Sequence, residues 1–268
     1  MKLGFIGAGN MGSAIFKGFI SSGTVKNNDI YITRRNKDKL KKQAVENGVN
    51  GCETFKEVVA NSDVLFLAVK PIMFGEVLKE LRPLIKDKMP LVVSMAAGIS
   101  TADIEEMLDI KGAKVVRIMP NVNAAVSMSV TAVCGGKNVA CEDISLIEKL
   151  FNSIGSTARV AEPQFAIFSA IAGCSPAYVY MFINALAEGA LKAGMNKKQA
   201  IEIAAGAVIG SAKTVLETGI HPEELCDMVC SPGGTTIEGV CALKEDAFEA
   251  AVIDEVSRSI EKDAMLKK

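Results

Sequence analysis

Apolar and polar positions alternate in blocks along the first part of the chain. Compact apolar runs fall at residues 2–6, 30–32, 64–69, 91–95 and 115–119. Between them lie amphipathic stretches, most clearly at residues 10–20, 74–84 and 101–108. Apolar runs of strand length separated by helical patterns predict a mostly parallel, doubly wound sheet covered on both faces. Two more strand candidates, residues 129–134 and 157–160, flank a helix predicted over 143–154. Beyond Pro163 the strand pattern stops. Residues 177–193 and 198–216 read as long helices ended by Gly194 and Gly219, rich in small residues such as Ala185, Gly189, Ala205, Gly206, Ala207 and Gly210. Helices apolar on most sides must be covered, and about a hundred residues cannot cover them alone. A subunit interface is therefore expected. Gly206 and Gly210 have the spacing that lets membrane helices touch, but Glu202 and Lys213 sit too close for a span, and no apolar run is expected to reach membrane-spanning length.

The first strand runs through Ile6 straight into Gly7-Ala8-Gly9-Asn10-Met11-Gly12 and then a helix. This is a dinucleotide-binding fingerprint in its required strand–turn–helix setting. Gly7 permits the tight turn, Gly9 lets a pyrophosphate approach the backbone, and Gly12 lets the helix pack on the strand. The fold class expected is α/β. A Rossmann-like, doubly wound, mostly parallel sheet is expected over residues 1–161, and an all-helical domain carrying the expected subunit interface over 162–268. At the end of the second strand stands Thr33-Arg34-Arg35-Asn36, where an acid would hold the ribose 2′-hydroxyl of NADH. Guanidinium groups suit a 2′-phosphate instead, so NADPH is the expected cofactor, with NADH a weaker alternative. Ala68-Val69-Lys70-Pro71, Ala96-Ala97-Gly98 and Met119-Pro120-Asn121 follow later strands, at the carboxyl ends where ligands of such sheets lie. Each of these alone could be an ordinary strand-to-helix turn.

Composition narrows the partners. The chain has 268 residues, 49% of them hydrophobic, and a net charge of −1. With no basic field, nucleic acid is not expected. The sequence enters a strand at once, which leaves no room for a targeting peptide and predicts a cytoplasmic location. The seven cysteines, scattered from Cys52 to Cys241, read as reduced thiols. Cys226, Cys230 and the one histidine, His221, lack paired metal-ligand spacing, so no metal is expected.

Ser231-Pro232-Gly233-Gly234-Thr235-Thr236, preceded by Val229 and Cys230, is the second informative string. Proline and paired glycines fix a turn, and a helix is predicted over 237–244. N–H groups at a helix start suit an anion such as a carboxylate. Reducing a ketone would need an acid beside the oxygen, yet Tyr178 and Tyr180 lack a lysine four residues on, and His221 reads as a helix-entry residue. A cyclic imine can arrive already protonated on nitrogen. It needs only hydride geometry, a hydrogen bond to nitrogen and a grip on its carboxylate.

These motifs together resemble the Δ1-pyrroline-5-carboxylate reductase family over nearly the whole length. The likeness rests on Gly7 to Gly12, Ala68-Val69-Lys70-Pro71, Ala97-Gly98-Ile99, Met119-Pro120-Asn121, Pro176-Ala177-Tyr178 and above all Ser231 to Ile237. The resemblance implies NADPH-dependent reduction of a small-molecule cyclic imine to proline by a homodimer or larger homo-oligomer joined through the C-terminal helices. It implies that Thr236 hydrogen-bonds the ring nitrogen, with Ser231 as the second candidate catalytic hydroxyl. Ser231, Gly233 and Gly234 then hold the carboxylate, and Glu162 lies at the substrate. The chain departs from the family pattern at Phe55, Val122, Asn123, Cys174 and Ser175. A related imine, or a sensor that binds NADP(H) without catalysis, are the alternative readings.

Overall fold

The computed structural model describes residues 1–266. Eight strands form one sheet: β1 (Leu3–Ile6), β2 (Ile30–Thr33), β3 (Asn50–Gly51), β4 (Val64–Leu67), β5 (Leu91–Ser94), β6 (Val115–Met119), β7 (Ser129–Gly135) and β8 (Gly155–Arg159). Their order is β3-β2-β1-β4-β5-β6-β7-β8. Every pairing is parallel except β6 with β7. The strand order reverses between β1 and β4, which opens a crevice at the carboxyl end of β1.

The central strands are almost wholly apolar because each face of the sheet meets helices, with Ser94 of β5 and Arg117 of β6 the polar exceptions. Phe5, Phe66, Val93 and Val116 point into one core with Phe16, Phe19 and Phe151. Ile6, Leu65, Leu67, Val92 and Val115 point into the other with Leu78, Leu81 and Ile104. Phe5 stacks on Phe66 at 4.7 Å between ring centroids. The first core is covered by α1 (Asn10–Ser21) and by the helix at Cys141–Asn152, which connects β7 to β8. The intervening helices are α2 (Lys37–Asn47), α3 (Phe55–Ala60), α4 (Phe74–Lys88) and α5 (Thr101–Leu108), so the Cys141–Asn152 helix is α6.

The predicted helices at 10–20 and 101–108 match α1 and α5 closely, whereas the helix predicted over 74–84 continues past Pro83 to Lys88. β3 and α3 were not expected. A two-residue strand and a six-residue helix carry too few positions to show a period.

The chain divides into two compact units. Met1–Gly173, with the segment from Ile260, forms one, and Cys174–Ser259 forms the other. The first therefore includes α7 (Phe165–Phe168) and most of a π-helical turn at Ser169–Cys174. Phe165, Phe168 and Ala172 pack with Ala132 beside Met119 and Ala158. In the second unit α8 (Ser175–Lys192) packs along α9 (Lys197–Thr218). The turns after them contain Gly194 and Gly219 at positive φ, as their placement predicts. Short helices α10 (Pro222–Val229) and α11 (Thr235–Glu245) follow, and α12 (Phe248–Leu266) ends the described chain.

One expectation is overturned. The helical run Glu162–Lys192, 31 residues holding an 18-residue window with a mean hydropathy of 1.6, is long and apolar enough to cross a membrane by length and composition. Ser175 and Pro176 interrupt the apolar pattern in the sequence, but the π turn leads directly into α8, whose first turn accepts a proline without losing a hydrogen bond. Only 22% of its most apolar window is buried in this chain.

Candidate functional site

The glycine loop occupies the β1 end of the crevice. Gly7 has φ +100°, and a Cβ there would stand 2.6 Å from the Ala68 carbonyl oxygen. No other residue type meets both demands. A Cβ on Gly12 would stand 2.6 Å from the Gly7 oxygen, so α1 can approach the loop only with glycine there. Gly9 has nothing within 4 Å of that position, and its backbone is open to a ligand. No side chain caps α1, which leaves N–H groups of its first turn, from Asn10 and Met11 onward, available to an anion. Thr33 contributes its main chain: its carbonyl accepts from Gly7 N–H at 3.0 Å and Ala8 N–H at 3.1 Å and ties β2 to the loop. Ala8 is fully buried and shapes the turn from behind.

A cleft of about 380 Å³ opens beside this loop. Ile6, Gly7, Thr33, Arg34, Arg35 and Val69 all line it, as does Phe55. Arg34 is half-buried and donates to Gln43 Oε1 at 3.0 Å, whereas Arg35 is exposed and reaches only Met73 Sδ at 3.9 Å. Asn36 is spent locally, because its side chain caps α2 through Lys39 N–H at 2.9 Å. Glu53, Thr54 and Glu76 also line this cleft, and no motif in the sequence marks them. The first two follow β3, and an unrecognised strand leaves the residues after it without a location. Phe55, one of the departures from the family pattern, brings an aromatic face to the cleft.

The remaining candidates stand at neighbouring strand ends. Ala68 continues β4 and donates to the Ile6 carbonyl at 2.8 Å; Val69 and Lys70 lead into a 3₁₀ turn begun by Pro71. After β5, Ala96 is buried and donates to Ser94 Oγ at 3.2 Å, Ala97 is exposed, and Gly98 turns at φ +75°. Asn121, buried after β6, donates from Nδ2 to the Ala172 carbonyl of the π turn at 2.9 Å. Val122 begins the 3₁₀ turn that follows. A dinucleotide fits this set: an open glycine backbone, an uncapped helix start and two guanidinium groups at one crevice.

Glu162 lies within the first unit, and both its oxygens are engaged there. Oε1 accepts from Thr101 N–H at 2.8 Å and Arg117 at 3.1 Å, and Oε2 pairs with Thr101 Oγ1 at 2.7 Å. Arg117 is 3% exposed and lies 4.4 Å from the Phe165 ring centroid. Glu162→Ala would strand that buried cation and should lower unfolding stability by about 3 kcal/mol, read from urea denaturation. A loss under about 0.5 kcal/mol would show that water takes over the pairing.

The signature string is exposed on the second unit. Val229 ends α10 and is 66% exposed, and Cys230 caps that helix through N–H bonds to the carbonyls of Cys226 and Asp227. Ser231-Pro232-Gly233-Gly234 closes a turn in which Gly234 N–H donates to the Ser231 carbonyl at 3.0 Å and Gly233 takes φ +64°. α11 begins at Thr235, earlier than the predicted 237–244, with Gly234 as N-cap and no side-chain cap. Thr235 therefore caps nothing; it and Thr236 occupy the first turn of an uncapped helix. His221 is a helix-entry residue as expected, its Nδ1 accepting from Glu223 N–H at 3.3 Å. All seven cysteines are free thiols, and burial pushes the Cys52 thiol up to about 11.

Comparison with known proteins gives this geometry its context. Residues 162–266 match the family model "Pyrroline-5-carboxylate reductase dimerisation", and residues 2–98 match "NADP oxidoreductase coenzyme F420-dependent". The pyrroline-5-carboxylate reductase of Escherichia coli is 43% identical over 267 residues, covering 100% of this chain and 98% of that protein. The solved reductase of Coxiella burnetii superposes with a TM-score of 0.92 at 31% identity, covering 100% of this chain and 98% of that one. The Plasmodium falciparum pyrroline carboxylate reductase, solved with NADP bound, gives 0.88 at 29% identity with the same coverage. Full-length identity of this order, with the glycine loop and the Ser231–Thr236 turn both in place, means that this chain belongs to the pyrroline-5-carboxylate reductase family.

Proposed function

We propose that the chain reduces Δ1-pyrroline-5-carboxylate to L-proline with NADPH, adding hydride to the carbon of the C=N bond. The observation that carries this reading is the Ser231–Thr236 turn, which delivers an uncapped helix start beside two threonine hydroxyls. The N–H groups of Gly233 and Thr235 and the Ser231 hydroxyl receive the substrate carboxylate, with Val229, Cys230, Pro232 and Gly234, whose N–H closes onto the Ser231 carbonyl, setting the turn. Thr236 hydrogen-bonds the ring nitrogen and fixes which face of the imine is presented. NADPH, when bound, supplies the hydride. Gly7 to Gly12 hold its pyrophosphate, Arg34 and Arg35 its 2′-phosphate, and Ala68 to Pro71, Ala96 to Gly98 and Asn121 border its nicotinamide end. Glu162, with both oxygens engaged, anchors the start of α5 and Arg117. We infer a homodimer or larger assembly built on α8 and α9, because Tyr180, Met181, Ile203, Ile209 and Leu216 are exposed on a single chain.

Mixing the protein with NADPH and a panel of five- and six-membered cyclic imino acids tests the assignment. Loss of reduced-nicotinamide absorbance should be fastest with pyrroline-5-carboxylate. Turnover only of a six-membered imine would assign the chain to a related reaction, and no turnover at all would remove the enzymatic reading.

Coenzyme choice is tested separately. Replacing Arg34 and Arg35 together with Ala should cost on the order of 1.5–3 kcal/mol of NADPH binding per strong phosphate contact and leave NADH nearly untouched. Equal losses for both coenzymes would make this a basic surface turn.

A further inference from the structure

We propose that Gln43 is a positioning residue for coenzyme selection, holding Arg34 ready for the 2′-phosphate. α2 is a polar helix, yet Gln43 on it is only 9% exposed, and both ends of its amide are engaged. Arg34 donates to its Oε1 at 3.0 Å, and its Nε2 donates to Ser13 Oγ at 2.5 Å. Ser13 in turn donates to the Ala8 carbonyl at 3.3 Å. Every donor in this relay points the same way, from the guanidinium at the cleft to the main chain of the glycine loop. Such aligned bonds reinforce one another.

The relay separates the two arginines. Arg35 is exposed and meets only a thioether, so it must be ordered by its ligand. Arg34 is ordered beforehand, with one terminal nitrogen committed to Gln43 and no other hydrogen bond among the described residues. Pre-ordering a long side chain removes part of the entropy cost of binding. The acceptor is also neutral. A carboxylate at position 43 would still accept from Arg34, but it has no N–H to donate to Ser13 Oγ and would cancel the charge that distinguishes a phosphate from a hydroxyl. The cleft already has Glu53, Glu76 and Glu80 on its lining, so an additional anion would weigh against a phosphorylated ribose. Glutamine supplies the geometry and leaves the charge.

This inference rests on the assignment of Arg34 to the 2′-phosphate, so R34A is measured beside it. Dissociation constants are taken for NADPH, NADH, adenosine 2′,5′-bisphosphate and adenosine 5′-monophosphate on the full chain. Gln43→Met, which keeps the side chain's length, should weaken NADPH and the bisphosphate about tenfold, the value of one hydrogen bond to a charged group. NADH and the monophosphate should stay within about twofold, which also reports that the variant is folded. Gln43→Glu should lower the NADPH preference as well. If R34A abolishes the preference while both Gln43 variants retain it, the proposal is overturned and Gln43 is a strut between α1 and α2. Equal weakening of all four ligands by Gln43→Met overturns it too. If R34A itself leaves the preference intact, the assignment of Arg34 falls and this inference falls with it.

Discussion

Thr236→Ala should slow imine reduction by roughly ten- to a thousandfold, the range of one catalytic hydrogen bond, while NADPH affinity stays nearly unchanged. The expectation follows from where the hydroxyl stands. Thr236 lies in the first turn of α11, directly after the Gly233-Gly234 turn, and no side chain caps that helix. Its hydroxyl is exposed and is not consumed by the fold. The imine carries its own proton, so the hydroxyl has only to orient the ring and bond its nitrogen. Thr236→Ser keeps the hydroxyl and should keep much of the activity. Thr235→Ala should be milder than Thr236→Ala, and because Gly234 is the N-cap, it should leave the melting temperature almost unmoved. Steady-state kinetics on the three variants give the ordering. A fully active Thr236→Ala protein would make the string a structural turn.

Ala207→Asp should abolish the assembly. Ala207 lies on α9 and is exposed in the single chain, as are Gly206, Gly210, Ile203 and Ile209. A Cβ at Gly206 or Gly210 would meet nothing within 4 Å, so this stripe of small residues faces away from the rest of its own chain. An aspartate on a free surface changes stability by less than about 0.5 kcal/mol. The same aspartate buried unpaired in an interface costs several kcal/mol, on the order of 3–5, and a symmetric dimer buries it twice. Sedimentation velocity at micromolar concentration should therefore show an oligomer for the wild type and a folded monomer for the variant. Assembly unchanged by Ala207→Asp would place the interface elsewhere, and a monomeric, fully active wild type would remove the need for one.

The sheet was largely legible because its central strands are buried on both faces. Phe5, Leu65 and Val92 need no polar partner face, so they stand in unbroken apolar runs that a pattern search finds. The glycine loop was legible for another reason: at Gly7 and Gly12 a single Cβ is forbidden by carbonyls 2.6 Å away, and such constraints leave a fixed spacing in the sequence. β3 is two residues long and left no such trace, and with it went the location of Glu53, Thr54 and Phe55. The fates of Asn36 and Glu162 were hidden because their partners, Lys39 N–H in one case and Thr101 and Arg117 in the other, are set by the fold. The long apolar run through Ser169–Cys174 was misjudged because a π turn carries the helix across residues that look like a break. Gln43 was invisible as a functional candidate, since an isolated glutamine among the lysines of α2 reads as solvated surface.

The most direct test follows a single atom. Pyrroline-5-carboxylate is reduced with NADPH carrying deuterium at the transferable position of the nicotinamide ring, and the product is examined by mass spectrometry and NMR. The account predicts L-proline heavier by one deuterium, with all of the label on the ring carbon that had been doubly bonded to nitrogen. Proline formed without label, or no proline formed while NADPH still binds, would contradict it.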